Sequence, residues 1–208
     1  MSTSPKKRPP RLSIEPELPL SMSHNLSLID TTPLIISGKE VINNVDLLTS
    51  LSVTSIINCC SPRTGHDNFR YLHLNLIDEV GFDIKPSFES AREFIDESTG
   101  KILIHCNAGM SRSVSVAIDW LMVRKGMSLF EAFCLIKGCR QQASPNVGFM
   151  ESLSDGSLNM EIYRKDRFAS IEELRPSTTS ESKDMERDDE NAKEMEVDDH
   201  EVEGEGKM

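Results

Sequence analysis

The chain has 208 residues, 34 acidic and 23 basic, for a net charge of −11. That length suits one domain with tails, and a hydrophobic share of 38% is low for a chain that folds throughout. Residues 175–208 hold 13 acids and 5 bases, residues 1–11 hold four bases and no acid, and the stretch between is only mildly acidic, which excludes a general nucleic-acid binder.

Residues 1–23 carry five prolines and no helical or strand period, so they are expected to form an unfolded basic arm. PLIIS (33–37) reads as a strand. From Val41 to Leu51 apolar residues recur at 41, 45 and 48, a helical period. VTSIINCC (53–60) is β-branched and apolar, a buried strand. Leu72, Leu74 and Leu76 alternate with polar residues and predict another. Pro86 opens a helix through Phe88, Ala91 and Ile95 that stops before Gly100. KILIH (101–105) is a short buried strand, followed by a helix from about Arg112 to Lys125 that ends at Gly126. Ser128 and Glu131 form a capping box for the next helix, and Ser144-Pro145 opens a last one. The folded domain is set at 24–170 and a solvated acidic tail at 171–208. Strands and helices interleave, so the fold class is α/β, a single domain whose central sheet is mostly parallel and flanked by helices.

The five cysteines are Cys59, Cys60, Cys106, Cys134 and Cys139. Their odd number and low density, without an apolar leader, point to reduced thiols in the cytoplasm, the nucleus or both. None has the spacing of a zinc pair, no run is long enough for a membrane span, and neither metal nor cofactor is expected.

The informative segment is ILIHCNAGMSRSVSVAIDWL (102–121). A buried strand ends at His105, then come Cys106, a loop containing Gly109, and Arg112 at a helix start. Loop amides and a helix N-terminus converge there on an anion, and Arg112 adds a planar fork matched to phosphate oxygens. Gly109 permits a backbone conformation that a Cβ obstructs. A positive cup of this kind favours the thiolate form of a cysteine at its floor.

His105-Cys106-x-x-Gly109-x-x-Arg112-Ser113 resembles the signature of the cysteine-dependent protein phosphatases. SVSVAIDWLM is similar to the helix that follows it in dual-specificity phosphatases. LIISGKEVINNVDLLTSLSVTSIINCC and SPNVGFM resemble the family's opening strand–helix–strand and its Pro-Asn segment. The likeness covers roughly residues 24–155 and fits the small, atypical subgroup best.

The resemblance implies a cysteine-phosphatase-like fold and a set of roles. Cys106 is the nucleophile. Arg112 and the loop residues Asn107, Ala108, Gly109, Met110 and Ser111 hold the phosphate. Asp78 is the general acid, with Asp83 as the other candidate. Ser113 donates to the departing thiolate, His105 supports the loop, and Asn146 braces it from outside. Ser152 replaces the family's glutamine and Gly156 interrupts, which predicts a shorter or kinked last helix. Cys60 sits where a related lipid phosphatase carries a resolving cysteine.

The uncharged loop side chains argue against an inositide substrate. The reading is a protein phosphatase acting on phosphotyrosine and phosphoserine or phosphothreonine; the alternative is a phosphopeptide-binding module with little turnover. Expected partners are phosphorylated proteins, with neither nucleic acid nor membrane. Lys6-Lys7-Arg8 with Leu12 and Ile14 resembles a docking motif for mitogen-activated protein kinases through residues 6–14, against the alternatives of a nuclear import signal or a solubilising end.

Overall fold

The structure, a computed structural model, describes residues 25–61 and 65–176. The arm at 1–23 and most of the acidic tail lie outside the described residues. Five strands form one sheet: β1 (Leu26–Leu28), β2 (Leu34–Gly38), β3 (Val53–Asn58), β4 (Arg70–His73) and β5 (Lys101–Cys106). Their order is β1-β2-β5-β3-β4, and every pairing is parallel except β1 with β2. The expected single α/β domain with a mostly parallel sheet is therefore present. β5 runs down the middle, buried on both faces, which is why it reads as an unbroken apolar run.

Side chains alternate along β5 between two cores. Ile102, Ile104 and Cys106 face the larger one, with Ile57, Cys59, Phe88, Val114, Phe133 and Phe149. Leu103 faces the smaller one, with Ile35, Leu48, Val53 and Ile56. The larger core is closed by α2 (Lys85–Asp96), α3 (Arg112–Lys125), α4 (Leu129–Cys139) and α5 (Val147–Leu153). The smaller is covered by a 3-10 turn at Lys39–Asn43 and by α1 (Val45–Ser50).

Several expectations hold in detail. Pro86 sits in the first turn of α2, Gly126 ends α3 at φ +66°, and Ser128 and Glu131 make the reciprocal bonds of a capping box. The helix expected over 41–51 is split at Asn44, whose side chain accepts the Leu47 N–H and so starts α1 afresh. The leucine strand is displaced: β4 ends at His73, because Asn75 at φ +49° breaks the ladder. Leu74 and Leu76 still donate to the Asn58 and Cys59 carbonyls, so the alternation marks an extended chain beyond the strand itself.

α5 is short, as Ser152 and Gly156 implied: it ends at Leu153, and Gly156 lies at φ +85°. Two further short helices follow, α6 (Met160–Lys165) and α7 (Ile171–Leu174), which carry no long apolar period. They correct the boundary at 170. Leu174 is fully buried, its carbonyl accepts the Asn159 N–H, and Ser170 and Glu173 cap α7, so the fold continues past that residue.

Candidate active site

The parallel strands β5 and β3 bring their C-terminal ends together, the place where an open α/β sheet binds ligands. The segment 107–111 leaves β5 there and enters α3. The 77–83 segment, between β4 and α2, lies across it.

The loop's carbonyls are held from outside. Asn107 O accepts the Lys39 N–H at 3.2 Å and Met110 O the Ser144 N–H at 2.9 Å. Ala108 O accepts from Arg140 Nη2 at 3.0 Å and Gln142 Nε2 at 3.3 Å; Gly109 O accepts from Arg140 Nε. In a trans peptide the N–H points opposite to the preceding C=O. Four outward carbonyls therefore turn the N–H groups of residues 108–111 inward. The Gly109 N–H does reach Cys106 Sγ, at 3.2 Å. Gly109 adopts φ +67°, and a Cβ there would stand 2.6 Å from the Ser37 carbonyl. The result is a nest of amides at the N-terminus of the 14-residue α3, shaped for an anion.

Cys106 lies at the floor, buried, with Ser113 Oγ 3.3 Å from its sulfur. Arg112 is buried beside it. Its Nη1 donates to Leu76 O at 3.3 Å, while the buried Nε has no hydrogen-bond partner and stands 3.6 Å from Asp78 Oδ2. A buried guanidinium edge without a partner is costly unless a ligand completes it.

Asp78 is fixed over the cup. Its Oδ1 accepts from Ser111 Oγ at 2.7 Å and Asn146 Nδ2 at 2.9 Å, and its side chain remains 34% exposed. Asp83 is engaged elsewhere, its Oδ1 accepting the Lys85 N–H at the start of α2. Asn146 caps α5 through the Phe149 N–H and gives its own backbone N–H to Ser111 Oγ. Its side chain thus braces Asp78, while its main chain holds Ser111. Ser111 faces Asp78 with its side chain and leaves only its amide to the cup. Asn107 and Ala108 are exposed, and Met110 is half-buried.

His105 points to the other side of the sheet from Cys106, in register with Ser37 and Asn58. Burial pulls its pKa down to about 4, the Cys106 backbone pulling weakly upward. Among the described residues neither ring nitrogen has a partner in hydrogen-bond geometry. The thiol across from Cys106 is Cys59 rather than Cys60. The Cys59 N–H donates to His105 O, one step past the pair Asn58–His105, and both Cys59 and Cys106 face the larger core. Burial pushes the Cys59 thiol well up, and the neighbouring Cys106 adds to this. Two residues had no sequence signal. Arg140 is an isolated base after α4. Gly148 is an ordinary helix glycine until one sees that its Cβ would stand 1.9 Å from Val80 O.

A family model described as dual specificity phosphatase, catalytic domain, matches residues 34–157. Dual specificity protein phosphatase 1 of Arabidopsis thaliana is 35% identical over 134 residues, which are 62% of this chain and 67% of that protein. A probable serine/threonine-protein kinase of Dictyostelium discoideum is 42% identical over 123 residues, which are 57% of this chain but 5% of that protein. The crystal structure of DUSP15 superposes with a TM-score of 0.59 at 25% identity, covering 72% of this chain and 92% of that one.

Proposed function

The chain belongs to the dual specificity phosphatase catalytic-domain family, a family of protein phosphatases, and from that premise we propose that it hydrolyses phosphotyrosine and phosphoserine or phosphothreonine on proteins through a cysteinyl-phosphate. One observation carries the reading. The buried Nε of Arg112 has no hydrogen-bond partner among the described residues, only the longer ion pair to Asp78, at the mouth of an inward-facing ring of amides with Cys106 below.

The phosphoryl oxygens sit on the amides of residues 108–111 and on Arg112, whose fork meets two of them. The Cys106 sulfur attacks phosphorus. Asp78 gives its proton to the leaving oxygen, so that no free alkoxide or phenolate has to depart. Asp78, now a carboxylate, takes a proton from the water that attacks the phosphocysteine. Ser113 donates to Cys106 Sγ as the thiolate leaves. Ser111 and Asn146 hold the carboxyl group in line throughout, and His105 supports the loop through packing.

Steady-state hydrolysis of p-nitrophenyl phosphate by wild type and Cys106→Ser tests this. The expected result is turnover by wild type and none by the serine variant. Failure of wild type to turn over, with phosphopeptide binding retained, would make the chain a binding module instead. We also propose a mitogen-activated protein kinase as partner, through residues 6–14. These lie outside the described residues, so their sequence alone supports the idea. A peptide of residues 1–18, titrated against such kinases with Leu12→Ala/Ile14→Ala as control, tests it: equal weak binding by both peptides would leave only charge attraction.

A further inference from the structure

Arg140 is 4% exposed, and among the described residues no carboxylate pairs with it. Its acceptors among those residues are all neutral. Nε and Nη2 hold Gly109 O and Ala108 O; Nη2 also donates to Asn25 Oδ1 at 2.8 Å, and Nη1 lies 3.4 Å from Ser27 Oγ and 3.5 Å from Asn25 O. A buried cation without a counter-ion is expensive and calls for an anion elsewhere. The two peptide units it grips carry their N–H groups, those of Gly109 and Met110, into the cup. Cation, carbonyl, amide and bound anion therefore line up, each polarising the next. Burial lowers the Arg140 pKa, and the charge of Cys106 opposes that.

We propose that Arg140 is a positioning residue: it fixes and polarises the Gly109 and Met110 amides for phosphate, and through Asn25 it makes the anion site answer to strand β1. The inference rests on the phosphatase reading for its consequence in turnover, though not for its consequence in anion binding.

The test uses the full chain with inorganic phosphate as probe. Phosphate is measured as a competitive inhibitor of p-nitrophenyl phosphate hydrolysis and, independently of turnover, by the rise it causes in Tm. For Arg140→Met the expected result is a protein folded at the assay temperature, with phosphate binding weakened roughly tenfold to a hundredfold and kcat lowered by a similar factor. Arg140→Lys should not restore either, since a single ammonium nitrogen cannot stand at both positions from which Nε and Nη2 donate. Asn25→Ala should shift phosphate binding in the same direction by roughly threefold to tenfold. Wild-type phosphate affinity and kcat in Arg140→Met, with only a lower Tm, would reduce Arg140 to a structural role and overturn the proposal. Full restoration by lysine would also overturn it, charge alone then sufficing. If Arg140→Met fails to fold, Asn25→Ala decides, and unchanged phosphate binding and kcat in that variant refute the coupling to β1. A wild-type protein that gains Tm with phosphate yet never turns over would instead sink the phosphatase reading and leave this one standing.

Discussion

Replacing Gly148 by alanine should disable catalysis without touching the phosphate site. In open space such a change would firm the first turn of α5 by up to about 1 kcal/mol. Here the added Cβ would stand 1.9 Å from Val80 O, against 3.4 Å for the start of ordinary contact. The 77–83 segment must therefore retreat by about 1.5 Å, or α5 must shift by as much. Overpacking of this kind costs about 1–3 kcal/mol, so the net effect on stability is a loss. Asp78 is two residues from Val80 and is tied to Ser111 and Asn146. A retreat of that size breaks those bonds or carries the carboxyl group with it. Misplacing a reacting group by about 1 Å costs on the order of a hundredfold in rate. The assay compares kcat on a phosphoserine peptide and on p-nitrophenyl phosphate, with inorganic phosphate inhibition alongside. The peptide should lose more, because its alkoxide depends most on the acid, while phosphate inhibition stays within about twofold. A Gly148→Ala protein that is more stable and fully active would refute the claim that this contact sets the position of Asp78.

Asp78→Asn should lower turnover by roughly 10²–10⁴-fold with phosphate inhibition retained, and Asp83→Asn should leave turnover nearly intact at a small cost to α2; the reverse pattern in kcat would reassign the acid. His105 is held neutral with its pKa at about 4, against 6.5 in an unfolded chain. The unfolded state thus binds the extra proton between these values, so stability is fully present above pH 6.5 and lost as pH falls through 4, by about 3 kcal/mol for this group. Urea unfolding of wild type and His105→Gln from pH 7 to 4 should show a shallower decline in the variant, and parallel curves would contradict the assignment. Peroxide should inactivate the protein by oxidising Cys106 to the sulfenic acid, whose hydroxyl leaves as water when the facing Cys59 thiol attacks. Mass spectrometry should then map a Cys59–Cys106 disulfide that dithiothreitol reverses, and a Cys60 linkage would overturn the register argument.

Local chemistry made much of this legible from sequence. The run KILIH could only be a doubly buried strand, Gly126 a left-handed helix end, and Cys106 to Arg112 an anion loop, because each depends on neighbours in the chain. What sequence hid depends on distant partners. Arg140 is meaningful only beside carbonyls 31 and 32 residues away, and Gly148 only beside Val80. The family resemblance alone prefers Asp78 to Asp83; the partners that set the two apart, Ser111 for Asp78 and the Lys85 N–H for Asp83, are not legible in sequence. Cys59 and Cys60 are equivalent as letters; strand register separates them. The short helices α6 and α7 were missed because four to six residues hold too few turns to show a period, and their position is set by Tyr163 and Leu174 entering the core.

The outward grip on the loop also bears on when the site comes into being. Strand β5 and its loop supply the acceptors, but the donors come from Lys39, Arg140, Gln142 and Ser144, and Arg140 reaches back 115 residues to Asn25. The shortest segment that holds all of them runs from Asn25 to Ser144. Closing such long separations is entropically slow compared with forming α3 or α4 locally. During refolding, helical structure should therefore return first and phosphate binding last, so that recovered activity reports completed topology rather than recovered secondary structure.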